Sequence, residues 1–265
     1  MDSRLYLRTG FAYGRTQIED VYFTAPYKIM SPFMKGAHMD VIQMSSSAGL
    51  LSGDSLEAEF DFGAYSDVSY YSQSYEKVFD TKDDKAGKRI KIKVGSQANV
   101  RYMPYPVIPF VNSRYFADNV IQLEKDCTFM YCDIFTCGRT GMGEYYRMKW
   151  YESRTQVYVG NQLDYVDHTL IVPERFRYDS LGMWNTFTHN GMMYIYLPEK
   201  EGRKKLISVI RKMAEEKKIV NGITTTEAGI VLRTLGNKGE DLYHFYREVA
   251  ALEKIEWRNE LWLVF

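Results

Sequence analysis

No run of apolar residues in this 265-residue chain approaches the ~18 needed to span a bilayer. The opening, Met1 to Arg8, has no apolar signal core, which argues against secretion by that route. Cysteine is scarce. Three stand at positions 127, 132 and 137, an odd number unlike an extracellular disulfide framework, so a reducing cytoplasm is the expected compartment. Net charge is missing too. The 34 Lys and Arg balance the 34 Asp and Glu, which argues against a general nucleic-acid binder.

Complete chemical motifs are equally absent. Gly138-Arg139-Thr140-Gly141-Met142-Gly143 does not fit G-x-G-x-x-G, and no P-loop string occurs. Asp61-Phe62-Gly63 lacks the H-R-D loop of a kinase. Ser74-Tyr75-Glu76-Lys77 fits S-x-x-K without its S-D-N and K-T-G companions, and it lies in a β-like segment. Nucleotide hydrolysis is not expected. The four His, at 38, 168, 189 and 244, do not pair at chelating spacing. The Cys spacing of five puts Cys132 on the opposite strand face from its neighbours, so buried thiols are expected rather than zinc.

What is present is aromatic: 22 Tyr, 14 Phe and 4 Trp, a composition that suits pleated, half-buried surfaces. Glu57–Phe62 alternates polar and apolar, the period of a half-buried strand. Val68–Tyr75, Ile90–Val94, Val120–Leu123, Phe129–Phe135 and Val157–Val159 also read as strands. Asn190-Gly191 reads as a hairpin turn joining Trp184–His189 to Met192–Leu197. The prolines of Pro104–Phe110 predict an extended connector or edge.

The last quarter changes character. Glu199–Lys218 predicts a helix with Leu206, Ile210, Met213 and Lys217 in step on one face, and its eight Lys or Arg against four Glu make the other a solvated basic face. Asn221-Gly222 should end it. Thr224–Leu235 then reads as a strand. A second helix starts at Gly239, with Leu242, Phe245, Val249 and Leu252 in step. The whole predicts one mainly-β domain over 1–265, strand-rich to 198 and helix-strand-helix from 199.

Four groups of residues invite a chemical reading. Met30, Met34, Met39 and Met44 surround His38; thioethers favour Cu(I), but Met is also an adaptable core filler. His189 beside Asn190-Gly191 is a ligand candidate or a turn-stabilising donor. The loop Gly49-Leu50-Leu51-Ser52-Gly53-Asp54 puts an Asp after two glycines. The loop Gly138-Arg139-Thr140-Gly141-Met142-Gly143-Glu144 puts a Glu after three, with an Arg among them. A carboxylate on such a loop can bind a divalent cation or pair with Arg139, and the residues alone leave both open. An independent β-rich hydrolase using Asp54, Glu144 and His189 is the enzymatic alternative, although no complete catalytic set is present.

In order and spacing, these loops resemble those of the urease accessory protein D family, called H in some bacteria. Ile18–Lys28 resembles the family's opening segment. Gly49–Asp54 matches its G-[IL]-x-x-G-D signature, although Ala48 replaces a common Pro. Ser72–Lys77 matches the segment carrying its Lys, here Lys77. Pro104–Phe110 matches P-x-P-x-I-P-F, Gly138–Glu144 matches G-R-x-x-x-G-E, and Arg233–Gly236 matches R-x-L-G. The resemblance implies a non-enzymatic maturation factor with β-helix-like stacked strands and two C-terminal helices. It implies docking of accessory proteins F and G onto apo-urease, with no nucleic acid or membrane partner. It also implies nickel in transit through the interior and no tightly bound cofactor. On that resemblance, Asp54 and Glu144 are the expected weak metal-path residues. Gly49, Gly53, Gly138 and Gly143 would support the loops, Arg139 would supply the counter-charge, and Lys77 and His189 are further candidates.

Overall fold

The computed structural model describes residues 1–260, with side chains through Leu252. Period-2 alternation makes most of the first 200 residues strand. The chain opens with β1 (Asp2–Ala12), β2 (Arg15–Phe23), β3 (Tyr27–Ile29), β4 (Phe33–Lys35) and β5 (His38–Ser45). There follow β6 (Ser55–Phe62), β7 (Asp67–Ser72), β8 (Glu76–Val78), β9 (Ala86–Val94), β10 (Asn99–Met103) and β11 (Val107–Pro109). Then come β12 (Arg114–Leu123), β13 (Thr128–Thr136), β14 (Trp150–Val159), β15 (Gln162–Ile171) and β16 (His189–Tyr196). Helix α1 (Lys200–Glu216), strands β17 (Val220–Thr225) and β18 (Gly229–Gly236), and helix α2 (Gly239–Glu260) complete the described chain.

Two sheets face each other. One runs β15-β14-β12-β9-β6-β1-β2 and the other β17-β18-β16-β13-β10-β7-β5-β3. The chain crosses from the first to the second in β6 to β7, β9 to β10 and β12 to β13. Each strand lies parallel to its counterpart in the previous pass. This is the expected mainly-β, solenoid-like stack, with about four turns.

Parallel register stacks like positions into rows. Across the second sheet Val41, Tyr70, Tyr102, Tyr131 and Tyr194 stand in line. The rings of Tyr70 and Tyr102 stack at 4.5 Å and those of Tyr102 and Tyr131 at 5.9 Å. Phe60, from the facing sheet, meets Tyr70 and Tyr102 edge-on at 4.8 and 5.2 Å. Such aromatic pairs add ~0.5–1.5 kcal/mol each beyond area burial. Part of the tyrosine excess therefore forms a ladder inside the stack.

The other face of the second sheet carries the helices. Met130, Cys132, Ile134, Ile195 and Leu232 pack against Leu206 and Ile210 of α1 and Leu242, Phe245 and Val249 of α2. Cys127 lies instead in the core between the sheets, so the two thiols do take opposite faces. All three cysteines are free and buried, and burial pushes the Cys127 thiol up to about 12. A charged staple fastens α2. Arg101 donates to the Ala250 carbonyl at 3.2 Å and to Asp67 at 3.2 Å, and His38 bridges Asp67 and Asp40 at 2.8 and 3.0 Å. Both ring nitrogens of His38 thus face carboxylates, and of the methionine series Met39 is core, Met30 and Met44 are half-buried and Met34 is exposed.

Three local expectations fail. Asn190-Gly191 is no turn: both residues lie inside β16, paired with β13 and β18. The glycine is there because α2 packs close, and a Cβ at Gly191 would stand 2.6 Å from the Tyr246 hydroxyl and 2.7 Å from Thr234 Oγ1. Asn221-Gly222 lies within β17 rather than ending α1. The helix stops earlier, where Lys218 takes a left-handed φ of 54°. Thr224–Leu235 is not one strand but the turn and arms of a hairpin, whose turn is held by Asp164 accepting from Ala228 N at 2.8 Å. The proline run does behave as an extended margin, with β11 pairing β8 and touching β13 at Val107.

The Gly191→Ala variant tests the close approach. It should lose about 1–3 kcal/mol through overpacking, read as a lower urea midpoint with native far-UV circular dichroism. An unchanged midpoint would show that α2 yields at this contact.

Candidate functional site

The two glycine loops meet at one end of the stack. Gly49 takes a φ of 159°, and a Cβ there would stand 2.4 Å from the Lys77 carbonyl and 2.8 Å from the Phe79 ring. Leu50 N donates to that same carbonyl at 2.7 Å. Lys77 therefore serves the loop through its backbone, while its side chain is exposed. Phe79 meets Phe110 edge-on at 4.9 Å, and the Arg139 guanidinium lies over Phe110 at 4.3 Å. Phe79 and Phe110 thus link the Gly49 loop, the proline run and the Gly138 loop.

Each expected carboxylate has a structural partner. Asp54 Oδ2 accepts from Leu51 N at 2.8 Å, closing the turn, and Oδ1 receives the Met1 amine at 2.9 Å. Gly53, at φ 79°, lets that turn close. Glu144 takes a bidentate hydrogen bond from Arg139, one arm at 2.7 Å, and Arg139 holds its carboxyl below the usual range. Gly138 is required because a Cβ would stand 2.6 Å from the Glu144 carbonyl, and Gly143, at φ 73°, ends the single helical turn Thr140–Met142. His189 is elsewhere, at the start of β16, with Nδ1 at 2.8 Å from Thr188 Oγ1. The hydrolase trio of Asp54, Glu144 and His189 is thus tied to three different sets of partners.

Beside the Gly49 loop opens a polar cup of about 150 Å³, lined by Tyr27, Gln43, Ser45, Ser47, Ser72 and Glu76 among others. Behind it, a cavity of about 10 Å³ shares Gln43, Ser72 and Glu76 and adds Tyr70, Lys88 and Tyr102. That volume is about one water molecule. Glu76 and Lys88 pair there at 2.8 Å, with side chains 17% and 14% exposed. Burial opposes the Lys88 charge, but Glu76 and the nearby tyrosines outweigh it and raise its pKa.

The polar seam continues between the sheets. Asp133 accepts from Ser153 at 2.8 Å, and Asn119 donates to Thr155 at 3.1 Å. Farther on, Arg233 pairs with Asp167 and donates to Tyr165 at 3.1 Å. The Tyr115 hydroxyl, buried along the same stack, has no hydrogen-bond partner among the described residues. Lys88 lines the inner cavity, and Asp133 is half-buried on the inner face of β13. Burial raises the Asp133 pKa, and Ser153 offsets part of the rise.

One signal of this seam stands in the sequence of β9. Extending the buried alternation Ile90, Ile92, Val94 backwards by one step puts Lys88 on the inner face. A lysine in that row requires a buried counter-charge.

The sequence model of the UreD urease accessory protein family matches residues 1–263. The chain belongs to the UreD family of urease accessory proteins. It is 32% identical over 247 residues to urease accessory protein UreD of Acetivibrio thermocellus, covering 91% of this chain and 93% of that one. It is 31% identical over 242 residues to UreH of Helicobacter hepaticus, covering 89% and 92%. With UreD of Flavobacterium johnsoniae it shares 27% over 270 residues, covering 98% and 97%. UreD-family membership makes the chain a urease accessory protein, a maturation factor and not an enzyme. None of the helices among the described residues is long and apolar enough to cross a membrane.

His189 gives a pH prediction. Burial lowers its pKa from 6.5 to about 4. Between those values the unfolded chain takes up a proton that the folded chain refuses. Stability should therefore fall as pH drops from 6.5 to 4, by about 3 kcal/mol from this residue. His189→Gln should flatten that part of the curve in urea titrations, and an unchanged slope would contradict the assignment.

Proposed function

We propose that this chain is a cytoplasmic scaffold that docks accessory proteins F and G onto apo-urease and passes nickel through its interior to the urease metallocentre. Family membership supports the urease role. The observation that carries the path is the polar seam: paired charges and hydroxyls running between two otherwise apolar sheets, with Glu76 and Lys88 lining the inner cavity. Nickel is cargo here, so weak oxygen contacts suit it better than a cage of imidazole or thiolate, which binds nickel well. Asp54 and Glu144 stand at the loop end of this interior and are proposed as rim positions of the path. The surface supports docking. Phe176 of the connection between β15 and β16 and Tyr145 of the Gly138 loop are exposed and line one open groove. Exposed apolar residues gathered this way mark partner sites.

Copurification from the native cell, with metal analysis, is the direct test: urease and the accessory proteins should be recovered with the chain. Expressed alone the chain should be poorly soluble, and coexpression with F should recover it. Equal soluble yield with and without F would count against docking. Asp54→Ala and Glu144→Ala should each leave assembly with F, G and urease intact while urease nickel and activity fall. Loss of assembly would make the residue structural, and unchanged activation in both would remove them from the path. The basic face of α1 serves as a control. Reversing Lys204 and Lys205 to Glu should leave activation mostly intact, and complete loss would make that face a docking site.

A further inference from the structure

We propose that the Glu76–Lys88 pair is a release device: the Lys88 ammonium fills the place at the Glu76 carboxylate that a divalent cation would otherwise take, so the interior conducts a cation without retaining it. The proposal rests on the interior being the route and names how that route avoids becoming a trap.

Glu76 and Gln43 line both the outer cup and the inner cavity, so a cation moving from one to the other passes this carboxylate. Glu76 shares this cavity with Gln43, Ser72, Tyr70 and Tyr102, oxygen-bearing side chains of the kind that suits a divalent cation; at present the Tyr70 hydroxyl donates to the Gln43 amide oxygen, and Tyr105 N donates to Ser72 Oγ at 2.7 Å. A lone carboxylate in such a place, largely out of water, would hold a cation strongly. Lys88 cancels that charge at 2.8 Å.

Lys88 shares its strand face with Ala86, Ile90, Ile92 and Val94, where an apolar residue would pack. Replacing a buried ion pair with apolar residues of similar volume is often neutral or stabilising. Folding alone therefore gives little reason for the pair, and conduction gives one.

The test is equilibrium dialysis of the full-length chain against nickel ions at neutral pH. Lys88→Met removes the ammonium and keeps the stem. It should retain about one nickel per chain, at least tenfold more tightly than the unaltered protein. Lys88→Gln, which keeps a hydrogen-bond donor to Glu76, should also bind more tightly. The double variant Glu76→Gln/Lys88→Met, with no buried charge left, should fall back to the unaltered level. Either single variant, folded by circular dichroism, that binds nickel no more tightly than the unaltered chain overturns the proposal. So does failure of both single variants to fold. Urease loading is read separately. Tight retention by Lys88→Met should lower the nickel delivered to urease. Retention with delivery unchanged would mean that the cation does not pass Glu76, which ends both the route and the release role. Absence of retention, with delivery still sensitive to Asp54 and Glu144, would end the release role alone.

Discussion

Two stacked sheets leave little water between them, so a polar group on their inner faces must find its partner there or cost free energy. The interior of this protein follows from that requirement. Glu76 answers Lys88, Ser153 answers Asp133, Thr155 answers Asn119, and Arg233 answers Asp167. Because the strands are parallel and in register, these groups fall into rows. Lys88, Ala117 and Ser153 share one row, and Ile90, Asn119 and Thr155 share the next. The seam is thus a consequence of solenoid register acting on a few polar residues.

The apolar part of the interior fixes where that seam lies. Phe60 and the tyrosine rings pack beside the seam, with Tyr70 and Tyr102 lining the same cavity as Glu76 and Lys88, and the helices bury the back of the second sheet. The glycine loops belong to the same design. Phe79, Phe110 and Arg139 lock them together at the end where the polar cup opens. Asp54 and Glu144 shape those loops through their hydrogen bonds, and that shaping is compatible with a weak, passing contact to a cation.

Much of the fold was legible because alternation and register are local. The strands around Glu57–Phe62 and Ile90–Val94, and both C-terminal helices, follow from side-chain period alone. The failures have a tertiary origin. Gly191 is a glycine because Tyr246 of α2 needs the space, which no local turn rule can see. The loops around Asp54 and Glu144 were recognisable by their glycines and their order along the chain. The Glu76–Lys88 pair was not, because its members come from β8 and β9 and meet only once the stack forms. Lys88 in an otherwise apolar row was the available clue.

The most direct test of the account removes polarity from the seam far from either loop. Asn119→Leu with Thr155→Val removes a buried hydrogen-bonded pair and takes from the buried Tyr131 hydroxyl its bond to Thr155, a change expected to cost about 1–3 kcal/mol of stability. The measurement is nickel per urease after loading with this double variant in the assembled complex. The account predicts normal assembly and a several-fold fall in nickel delivered. Full nickel loading with the seam made apolar would contradict it.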